Sequence, residues 1–389
     1  MRICLISFEF LPRTGFGGAA ALYTDLAIAL AAQGHEITVL AGNNGPGVTI
    51  ETMNGVTRYC FGHRRLRPRP VACIERQLSV LRQFKKLSKA RGPFDIIEGP
   101  ELAAEPLILN AMTRTSPLAT RLVTPHYLLH KMNNKRRIRS VDWMERQNAI
   151  LSDVIIGDTT EWAQDILDDW KIDRSRLRIC PLGIDLNRID RAKDVQIPVN
   201  PPYVLFAGRL TLAKGPQVLS AAAPAIIKEN PGVKIVFAGG DTKTEDGESV
   251  KEIAMSMIPE DLLKSVVFLG FLESWDQLVS LYRNATVCVK ADVNTNQSYD
   301  TMGQLACGRP LVCSNVGAHV DMIQDGVNGI LFDRSNPSEL AEAVSRLLSD
   351  SNLRERMGRN ARTSVESGHT STISAEKTLR IYGDLAKSR

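Results

Sequence analysis

The sequence predicts an α/β protein made of two doubly wound domains, each with a parallel sheet between layers of helices. Short apolar, β-rich runs alternate with helical segments along most of the chain. The length of 389 residues exceeds what one hydrophobic core usually organises. The alternation is interrupted by a polar stretch at 190–202 that contains three prolines and has no apolar periodicity, which is typical of a linker.

The first domain is assigned to residues 1–197. It opens with a buried-strand pattern at 2–7, a Gly- and Pro-rich loop, and an Ala- and Leu-rich helix over 19–32. Further strands are predicted at 36–40, 56–61, 94–98, 118–124, 154–157 and 178–180, and helices at 74–90, 102–113, 141–151 and 160–170. Because strand and helix alternate, we expect the strands to be joined by crossovers and the sheet to be parallel.

The second domain is assigned to residues 198–368. Strands are predicted at 203–207, 234–239, 266–269, 286–289 and 311–313, and helices at 215–228, 249–257, 275–284 and 299–307. Residues 369–389 are expected to form a C-terminal helix that packs back toward the first domain. Two such domains facing each other create a cleft, and we expect the ligand to bind there.

Composition excludes a membrane-spanning protein and favours the cytoplasm. Apolar residues make up 43% of the chain, and no window approaches the ~20 uninterrupted apolar residues that a spanning helix needs. Glu9 interrupts the first apolar run, so a signal peptide is not expected. The seven cysteines are scattered without a Cys-x-x-Cys pair, which favours reduced, buried thiols.

Positive charge is concentrated in the first domain. Residues 1–197 carry 28 Lys and Arg against 21 Asp and Glu, with 11 basic residues over 58–91 and five over 131–139. A solvated surface explains such a face. The alternative is attraction to an anionic acceptor or to anionic lipid headgroups at the inner face of the membrane, where each nearby cation contributes about 1 kcal/mol. No nucleic-acid-binding motif accompanies the charge, so nucleic acid is not an expected partner.

Two stretches of the second domain are suited to a phosphate. Arg209 and Lys214 lie between a predicted strand and the following helix, where a planar guanidinium and a compact ammonium suit a pyrophosphate. Residues 290–314 read as strand, polar turn, helix and second strand, so the N–H groups of the helix start point at the turn. The alternative is an ordinary strand–helix unit with two surface cations.

The order of several motifs resembles the family 4 retaining glycosyltransferases, which have the GT-B fold of two Rossmann-like domains. Any single motif is a weak signal, but their order and spacing are specific. The matching pieces are Gly17-Gly18, QGHE at 33–36, PLGID at 181–185, GRL at 208–210 with KG at 214–215, FLG at 268–270, LACGRPLV at 305–312 and GVNG at 326–329.

The resemblance implies transfer of a sugar from a nucleotide-diphosphate donor to a glycan or lipid-linked acceptor in cell-surface polysaccharide assembly. It implies that Arg209 and Lys214 neutralise the leaving diphosphate and that His126 reaches the transferred sugar, although a structural role for His126 is an alternative. The implied donor contacts are Gly17, Gly18, Arg209, Lys214, Leu272, Thr295, Ser298, Tyr299, Asp300, Thr301 and Gly303.

No metal and no cofactor beyond the nucleotide sugar, which is a co-substrate, are expected. The sequence contains no Asp-x-Asp pair for a divalent cation. His126 and His130 have the i, i+4 spacing of a chelating pair, but no third ligand accompanies them. The expected enzyme is therefore a metal-independent hexosyltransferase in which protein cations replace the metal.

The chain departs from the family at one motif. The family carries Glu-x7-Glu, with one carboxylate near the donor sugar and the second on the ribose; alignment without a gap places these positions at Thr295 and Gly303. Loss of the second removes a charge-assisted hydrogen bond of about 1.5–3 kcal/mol unless Gln304, Asp300 or Asp292 replaces it. The departure motivates two alternatives, a non-catalytic GT-B partner or scaffold of an active transferase and an epimerase of the same fold.

Overall fold

The structure is a computed structural model that describes residues 1–11, 17–43, 47–62, 68–113 and 115–387. The chain forms two compact units. The first comprises residues 1–129, 137–184 and 370–389, and the second comprises residues 130–136 and 185–369. Each unit contains its own sheet.

The first unit alternates strands and helices as the sequence predicts. Its described strands are β1 (Arg2–Ser7), β2 (Glu36–Asn43), β3 (Val48–Met53), β4 (Val56–Gly62), β5 (Ile96–Pro100), β6 (Leu118–Arg121), β7 (Val154–Gly157) and β8 (Leu177–Ile179). Its described helices are α1 (Gly18–Ala32), α2 (Arg69–Arg91), α3 (Leu107–Met112), α4 (His126–Met132, whose last three residues belong to the second unit), α5 (Arg139–Leu151), α6 (Thr160–Trp170) and, from the chain's end, α15 (Ser371–Lys387).

The sheet of the first unit is doubly wound around β1. The strand order is β3-β4-β2-β1-β5-β6-β7-β8, and all pairs except β3–β4 are parallel. β1 is central and its Ile3 and Ile6 are fully buried, which explains the near-continuous apolar pattern at 2–7. Val80, Phe84 and Leu87 of α2 pack on one face of this sheet.

Strand β3 is a departure from the predicted pure parallel alternation. It pairs antiparallel with β4 at the edge of the sheet. Asn54 and Gly55 connect the two strands with φ values of 51° and 77°. Such a two-residue turn is too short for a crossover helix, and an Asn-Gly pair between β-rich runs is the strongest local signal for a hairpin.

Helix α15 is part of the first unit through a buried polar network. The Tyr382 hydroxyl donates to Glu98 Oε2 at 2.6 Å. Arg121 Nε donates to Glu98 Oε1 at 2.7 Å, and its Nη2 donates to the Thr378 hydroxyl at 3.1 Å. All four residues are buried, so the two hydroxyls rather than solvent stabilise the ion pair.

The second unit is a smaller parallel sheet with helices on both faces. Its described strands are β9 (Tyr203–Ala207), β10 (Lys234–Ala238), β11 (Val266–Gly270), β12 (Val287–Lys290), β13 (Leu311–Ser314) and β14 (Gly329–Phe332). Its described helices are α7 (Leu186–Asp190), α8 (Pro216–Glu229), α9 (Val250–Ser256), α10 (Trp275–Asn284), α11 (Tyr299–Ala306), α12 (Ala318–Met322), α13 (Pro337–Ser349) and α14 (Ser351–Gly368).

The strand order of the second sheet is β11-β10-β9-β12-β13-β14, with every pair parallel. Strands β10 and β11 lie on one side of β9, and strands β12, β13 and β14 lie on the other. The two doubly wound parallel sheets predicted from the sequence are therefore confirmed.

Residues 185–202 belong to the second unit, whereas the sequence placed the end of the first domain at 197. The Arg283 guanidinium of α10 donates to the carbonyl oxygens of Ile189 and Ala192 at 2.8 and 2.9 Å. The Val195 N–H donates to the Ser280 hydroxyl at 3.0 Å. Polar side chains of α10 thus bind this segment by its backbone, which an apolar pattern does not reveal.

The sequence also makes predictions about membrane-spanning helices and about the state of the cysteines. None of the described helices is long and apolar enough to cross a membrane. All seven cysteines are free thiols, and six of them are buried while Cys307 is half-buried.

We expect Tyr382→Phe to destabilise the first unit. The variant keeps the ring but removes the hydroxyl donated to the buried Glu98 carboxylate, and a hydrogen bond to a charged group contributes about 1.5–3 kcal/mol. Urea unfolding should show this loss, while Glu376→Gln, at an exposed position of the same helix, should leave the midpoint unchanged. Equal midpoints for wild type and Tyr382→Phe would contradict the assigned role of the network.

Candidate functional site

The candidate site of the second unit lies at the carboxyl ends of β9 and β12. These strands are neighbours in the sheet, but the chain leaves them toward opposite sides. Open α/β sheets bind ligands at such a switch point, outside the carboxyl ends of the strands. The loops at this place are 208–215, after β9, and 291–298, after β12.

The two loops touch through their backbones. Gly215 has φ of 70°, and a Cβ built on it would lie 1.9 Å from the Ala291 carbonyl oxygen. The Val293 N–H donates to the Ala213 carbonyl at 2.8 Å. Glycine is therefore required at 215 by both conformation and space, and it fixes Lys214 beside the loop after β12.

A fully buried lysine lies at the centre of the site. Lys290, the last residue of β12, has an exposed fraction of 0%. Its Nζ donates to the Ala207 carbonyl at 3.2 Å and lies 3.9 Å from Asp292 Oδ2 and 3.9 Å from Asp300 Oδ2. A buried ammonium persists only with such compensation, since an unpaired charge in the interior is strongly unfavourable.

Asp292 connects this lysine to a second one. The fully buried carboxylate contacts Lys214 Nζ at 2.7 Å through Oδ1 and His319 Nε2 at 3.6 Å through Oδ2. Burial alone raises the pKa of Asp292, but the charges of Lys214 and Lys290 outweigh it and hold the pKa below its ordinary value. Asp292 is therefore an anion that orients the one-quarter-exposed Lys214 ammonium.

His319 completes the buried cluster as a neutral ring. Burial lowers the pKa of His319 to about 4, and the opposing charge of Asp292 does not restore it. The ring Nδ1 lies 3.0 Å from the Ser314 carbonyl, which fixes the tautomer with the proton on Nδ1. The net charge of the cluster is therefore set by the two lysines and the two aspartates.

Helix α11 begins beside this cluster. Ser298 is its N-cap residue, with extended backbone, and Asp300 lies in the first turn. The Tyr282 hydroxyl donates to Asp300 Oδ1 at 3.3 Å. A Cβ built on Gly303 would lie only 2.9 Å from the Tyr282 ring, so the ring occupies the space that a side chain at 303 would need.

The residues predicted to contact the donor fall into several groups. Lys214 and Asp300 are in the charged cluster, and Arg209 is exposed in the loop after β9. Ser298 and Tyr299 begin α11 and are half-buried, whereas Thr295, Thr301 and Gly303 are buried. Leu272 follows the edge strand β11, two strands away from β9, and takes no part in the charged cluster.

Sequence reasoning missed Lys290, His319 and Tyr282. A lysine that ends the apolar run VCVK, followed by an aspartate two positions later, was a readable signal for a buried pair. No local pattern marked His319 or Tyr282, because their contacts with Asp292 and Asp300 depend on tertiary structure.

The remaining predicted residues lie in the first unit. Gly17 is the N-cap residue of α1 and Gly18 its first residue, while 12–16 of the same loop are outside the described residues. His126 is fully buried; its backbone N–H donates to Glu145 Oε2 at 2.7 Å and its Nδ1 lies 3.2 Å from Asp142 Oδ1. These contacts place a firmly held imidazole just after β6.

Buried carboxyls lie at the switch point of the first sheet, after β5. Glu101 Oε2 accepts the Val123 N–H at 2.7 Å, while Glu145 Oε1 accepts the Ala103 N–H at 2.9 Å. Ala103 has φ of 59°, a strained value for a residue with a side chain, which the bond to Glu145 helps to hold. Burial and then the charge of Glu145 raise the pKa of Glu101 to about 8.

No cluster of three or more His, Cys, Asp or Glu side chains that could hold a metal ion occurs within the described parts of the chain.

Family models match nearly the whole chain. The model described as "Glycosyltransferase Family 4" matches residues 16–188, and the model described as "Glycosyl transferases group 1" matches residues 187–364. Spore coat protein SA of Bacillus subtilis is 27% identical over 98% of this chain and 99% of its own. The D-inositol 3-phosphate glycosyltransferase of Corynebacterium jeikeium is 28% identical over 62% of this chain and 59% of its own.

Solved structures show the same fold. Sucrose-phosphate synthase from Thermosynechococcus elongatus superposes with a TM-score of 0.80 at 21% identity and covers 100% of both chains. HepE from Anabaena, solved in complex with UDP-glucose, superposes with a TM-score of 0.72 at 17% identity over 99% of this chain and 100% of its own.

The buried carboxyl of Glu101 predicts a pH dependence of stability. Its folded-state pKa, about 8, lies above the ordinary value of 4.5, so the folded state binds the proton more tightly. The stabilisation is complete below pH 4.5 and is lost as pH rises through 8. We expect the melting temperature to fall as pH rises from about 4.5 to about 8 and to fall less steeply in Glu101→Gln.

Thermal unfolding at a series of pH values measures this slope. Glu161→Gln, at an exposed position of α6, serves as the matched control and should keep the wild-type slope. Identical slopes for wild type and Glu101→Gln would show that Glu101 is not protonated in the folded state.

Proposed function

Because this chain belongs to the family 4 glycosyltransferases, with the GT-B architecture, we propose that it is a retaining transferase that uses a nucleotide-diphosphate sugar. The acceptor in this proposal is a glycan or a lipid-linked glycan of cell-surface polysaccharide assembly. The observation that supports it most is the convergence of Lys214, Lys290, Asp292 and the start of α11 at the switch point of the second sheet.

In this proposal the diphosphate lies against the start of α11. The N–H groups of the first turn of a helix lack intrahelical partners and carry partial positive charge, so residues 298–301 offer donors to phosphate oxygens. Lys214, held by Asp292 at 2.7 Å, contributes a fixed ammonium. Exposed Arg209 contributes a guanidinium from the same loop. Donors fixed in advance stabilise the charge that develops on the leaving diphosphate.

Asp292 acts in the proposal by positioning. An ammonium has three N–H donors, and the contact with Asp292 uses one of them. The other two remain for phosphate oxygens, and the quarter of the Lys214 side chain that is exposed allows that contact. The protein cations take the role of a divalent ion, so transfer should persist in the presence of EDTA.

The first unit supplies the acceptor side in this proposal. His126, after β6, is held by Glu145 and Asp142. We assign it to the transferred sugar, and because its side chain is fully buried this assignment requires a rearrangement around the ring when the sugar binds. Gly17 and Gly18 at the start of α1 allow close approach of the backbone to the donor and acceptor.

The acceptor proposal includes a peripheral membrane surface on α2. Arg82, Lys85, Lys86 and Lys89 are exposed and follow the i, i+3, i+4, i+7 spacing of one helix face. Cations near an anionic bilayer contribute about 1 kcal/mol each, so this strip can hold the enzyme next to a lipid-linked acceptor.

Nucleotide binding tests the donor site. A nucleotide diphosphate at 100 times its dissociation constant should stabilise the protein by about 2.7 kcal/mol, and UDP, GDP and ADP are the probes. Because each charge-assisted bond contributes about 1.5–3 kcal/mol, Arg209→Ala and Lys214→Ala should each weaken binding about tenfold to a hundredfold. Calorimetry gives the dissociation constants.

Arg356→Ala, which removes an exposed arginine of α14, is the matched control and should bind like wild type. If none of the three nucleotides stabilises the wild-type protein, the transferase proposal fails. In that case, if a transferase that copurifies with this protein works equally well with the Arg209→Ala and Lys214→Ala variants, the scaffold alternative is favoured.

Vesicle flotation tests the α2 surface. We expect Lys85→Glu/Lys86→Glu to reduce flotation with vesicles that contain phosphatidylserine, because two attractive charges become repulsive. Lys228→Glu/Lys251→Glu changes the same number of charges in the second unit and should float like wild type. Equal flotation of wild type with neutral and anionic vesicles would remove the membrane proposal.

A further inference from the structure

We propose that Asp300, held by Lys290 and Tyr282, is the carboxylate through which this chain binds the ribose hydroxyls of its donor nucleotide. The inference rests on the proposed function, since it presupposes a nucleotide donor. It gives a role to Asp300, Lys290 and Tyr282, none of which is assigned a contact with the diphosphate.

Exposure to solvent distinguishes Asp300 from Asp292 and Gln304, the two other side chains that could replace the missing ribose carboxylate. The side chains of Asp292 and Gln304 are fully buried, and Asp292 already contacts Lys214 and His319. Asp300 has 36% of its side chain exposed. Of these three, Asp300 alone can reach a ligand without rearrangement of the core.

Two buried side chains, Tyr282 and Lys290, contact the Asp300 carboxylate. The Tyr282 hydroxyl donates to Oδ1 at 3.3 Å, and Lys290 Nζ lies 3.9 Å from Oδ2. Both side chains are buried, so they cannot follow the carboxylate if it rotates into solvent. A Cβ built on Gly208 would lie 3.3 Å from Oδ2, which places the carboxylate against the loop that carries Arg209.

Gly303 and Asp300 are linked through the Tyr282 side chain, which packs against the first and contacts the second. Residues three apart on a helix share a face, and helical side chains lean toward the N-terminus. Asp300 therefore offers its carboxylate in the direction in which a longer side chain at 303 would extend. Gly303 leaves room for the Tyr282 ring, which lies 2.9 Å from the position of a Cβ there, and Tyr282 in turn reaches Asp300.

The chemistry of a carboxylate selects hydroxyls as its ligand. An ionised carboxylate only accepts hydrogen bonds and repels phosphate. In the proposed site the diphosphate faces Arg209, Lys214 and the α11 N–H groups, so Asp300 is left for a neutral donor. The 2′- and 3′-hydroxyls of a ribose present two adjacent donors, and the two carboxylate oxygens retain lone pairs for both.

Deoxynucleotides test this assignment. The probe is whichever of UDP, GDP and ADP binds the wild-type protein most tightly, together with its 2′-deoxy and 3′-deoxy analogues. We expect the wild type to bind the ribonucleotide at least tenfold more tightly than one of the analogues. Asp300→Asn should lose most of this ratio, with weaker binding of the ribonucleotide and little change for that analogue.

Tyr282→Phe separates positioning from folding. It removes only the hydroxyl that donates to Asp300, so it should lower the same ratio partly while the affinity for the deoxy analogue stays at the wild-type value. Asp261→Asn, which neutralises an exposed carboxylate of the second unit, is the matched control and should keep the full ratio.

The possible failures are distinguishable. If no ribonucleotide diphosphate binds the wild type, both the transferase proposal and the role of Asp300 are overturned. If the ribonucleotide binds and Asp300→Asn keeps the wild-type ratio, only the role of Asp300 is overturned. If the wild type binds the ribonucleotide and both deoxy analogues with equal affinity, the role of Asp300 is likewise overturned.

Discussion

The second unit depends on the compensation of one buried ammonium, that of Lys290. It ends the strand beside the switch point, and its charge is matched by Asp292 on one side and Asp300 on the other. Asp292 is in turn shared with Lys214, so the position of a partly exposed cation is coupled to the interior of the sheet. Removing one partner from such a set leaves an uncompensated charge, which costs far more than a surface ion pair contributes. The position of the Lys214 ammonium is therefore tied to the buried pair of Asp292 and Lys290.

The fold could be predicted from sequence because its signals are local. Alternating apolar runs and helices gave two parallel sheets, and Gly308 and Pro310 marked the end of α11. The hairpin of β3 and β4 was missed, although Asn54-Gly55 is a local signal for its turn. The apolar residues of β3, among them exposed Val48 and Ile50, are separated by polar ones, so β3 contains no continuous apolar run. The affiliation of residues 185–202 could not be predicted, because it depends on the side chains of Arg283 and Ser280 far along the chain.

The site was predictable only in part, for a similar reason. The sequence indicated Arg209, Lys214 and the start of α11 through their place between strand and helix. It marked Thr295 and Gly303 as departures from the family, yet could not choose among Gln304, Asp300 and Asp292 as replacements. That choice depends on which of them is exposed and on the position of the Tyr282 ring, and both are properties of the packed unit.

The first unit is assembled from distant parts of the chain, since Tyr382 and Thr378 of α15 complete the polar network around Glu98 and Arg121. During synthesis on the ribosome these two hydroxyls emerge after the whole of β9 to α14. The first sheet can form early, but Glu98 and Arg121 lack the contacts of Tyr382 and Thr378 until translation reaches α15. A nascent chain stalled within the second unit would therefore expose an incompletely satisfied ion pair, and the first unit becomes fully stable only after α15 has been synthesised.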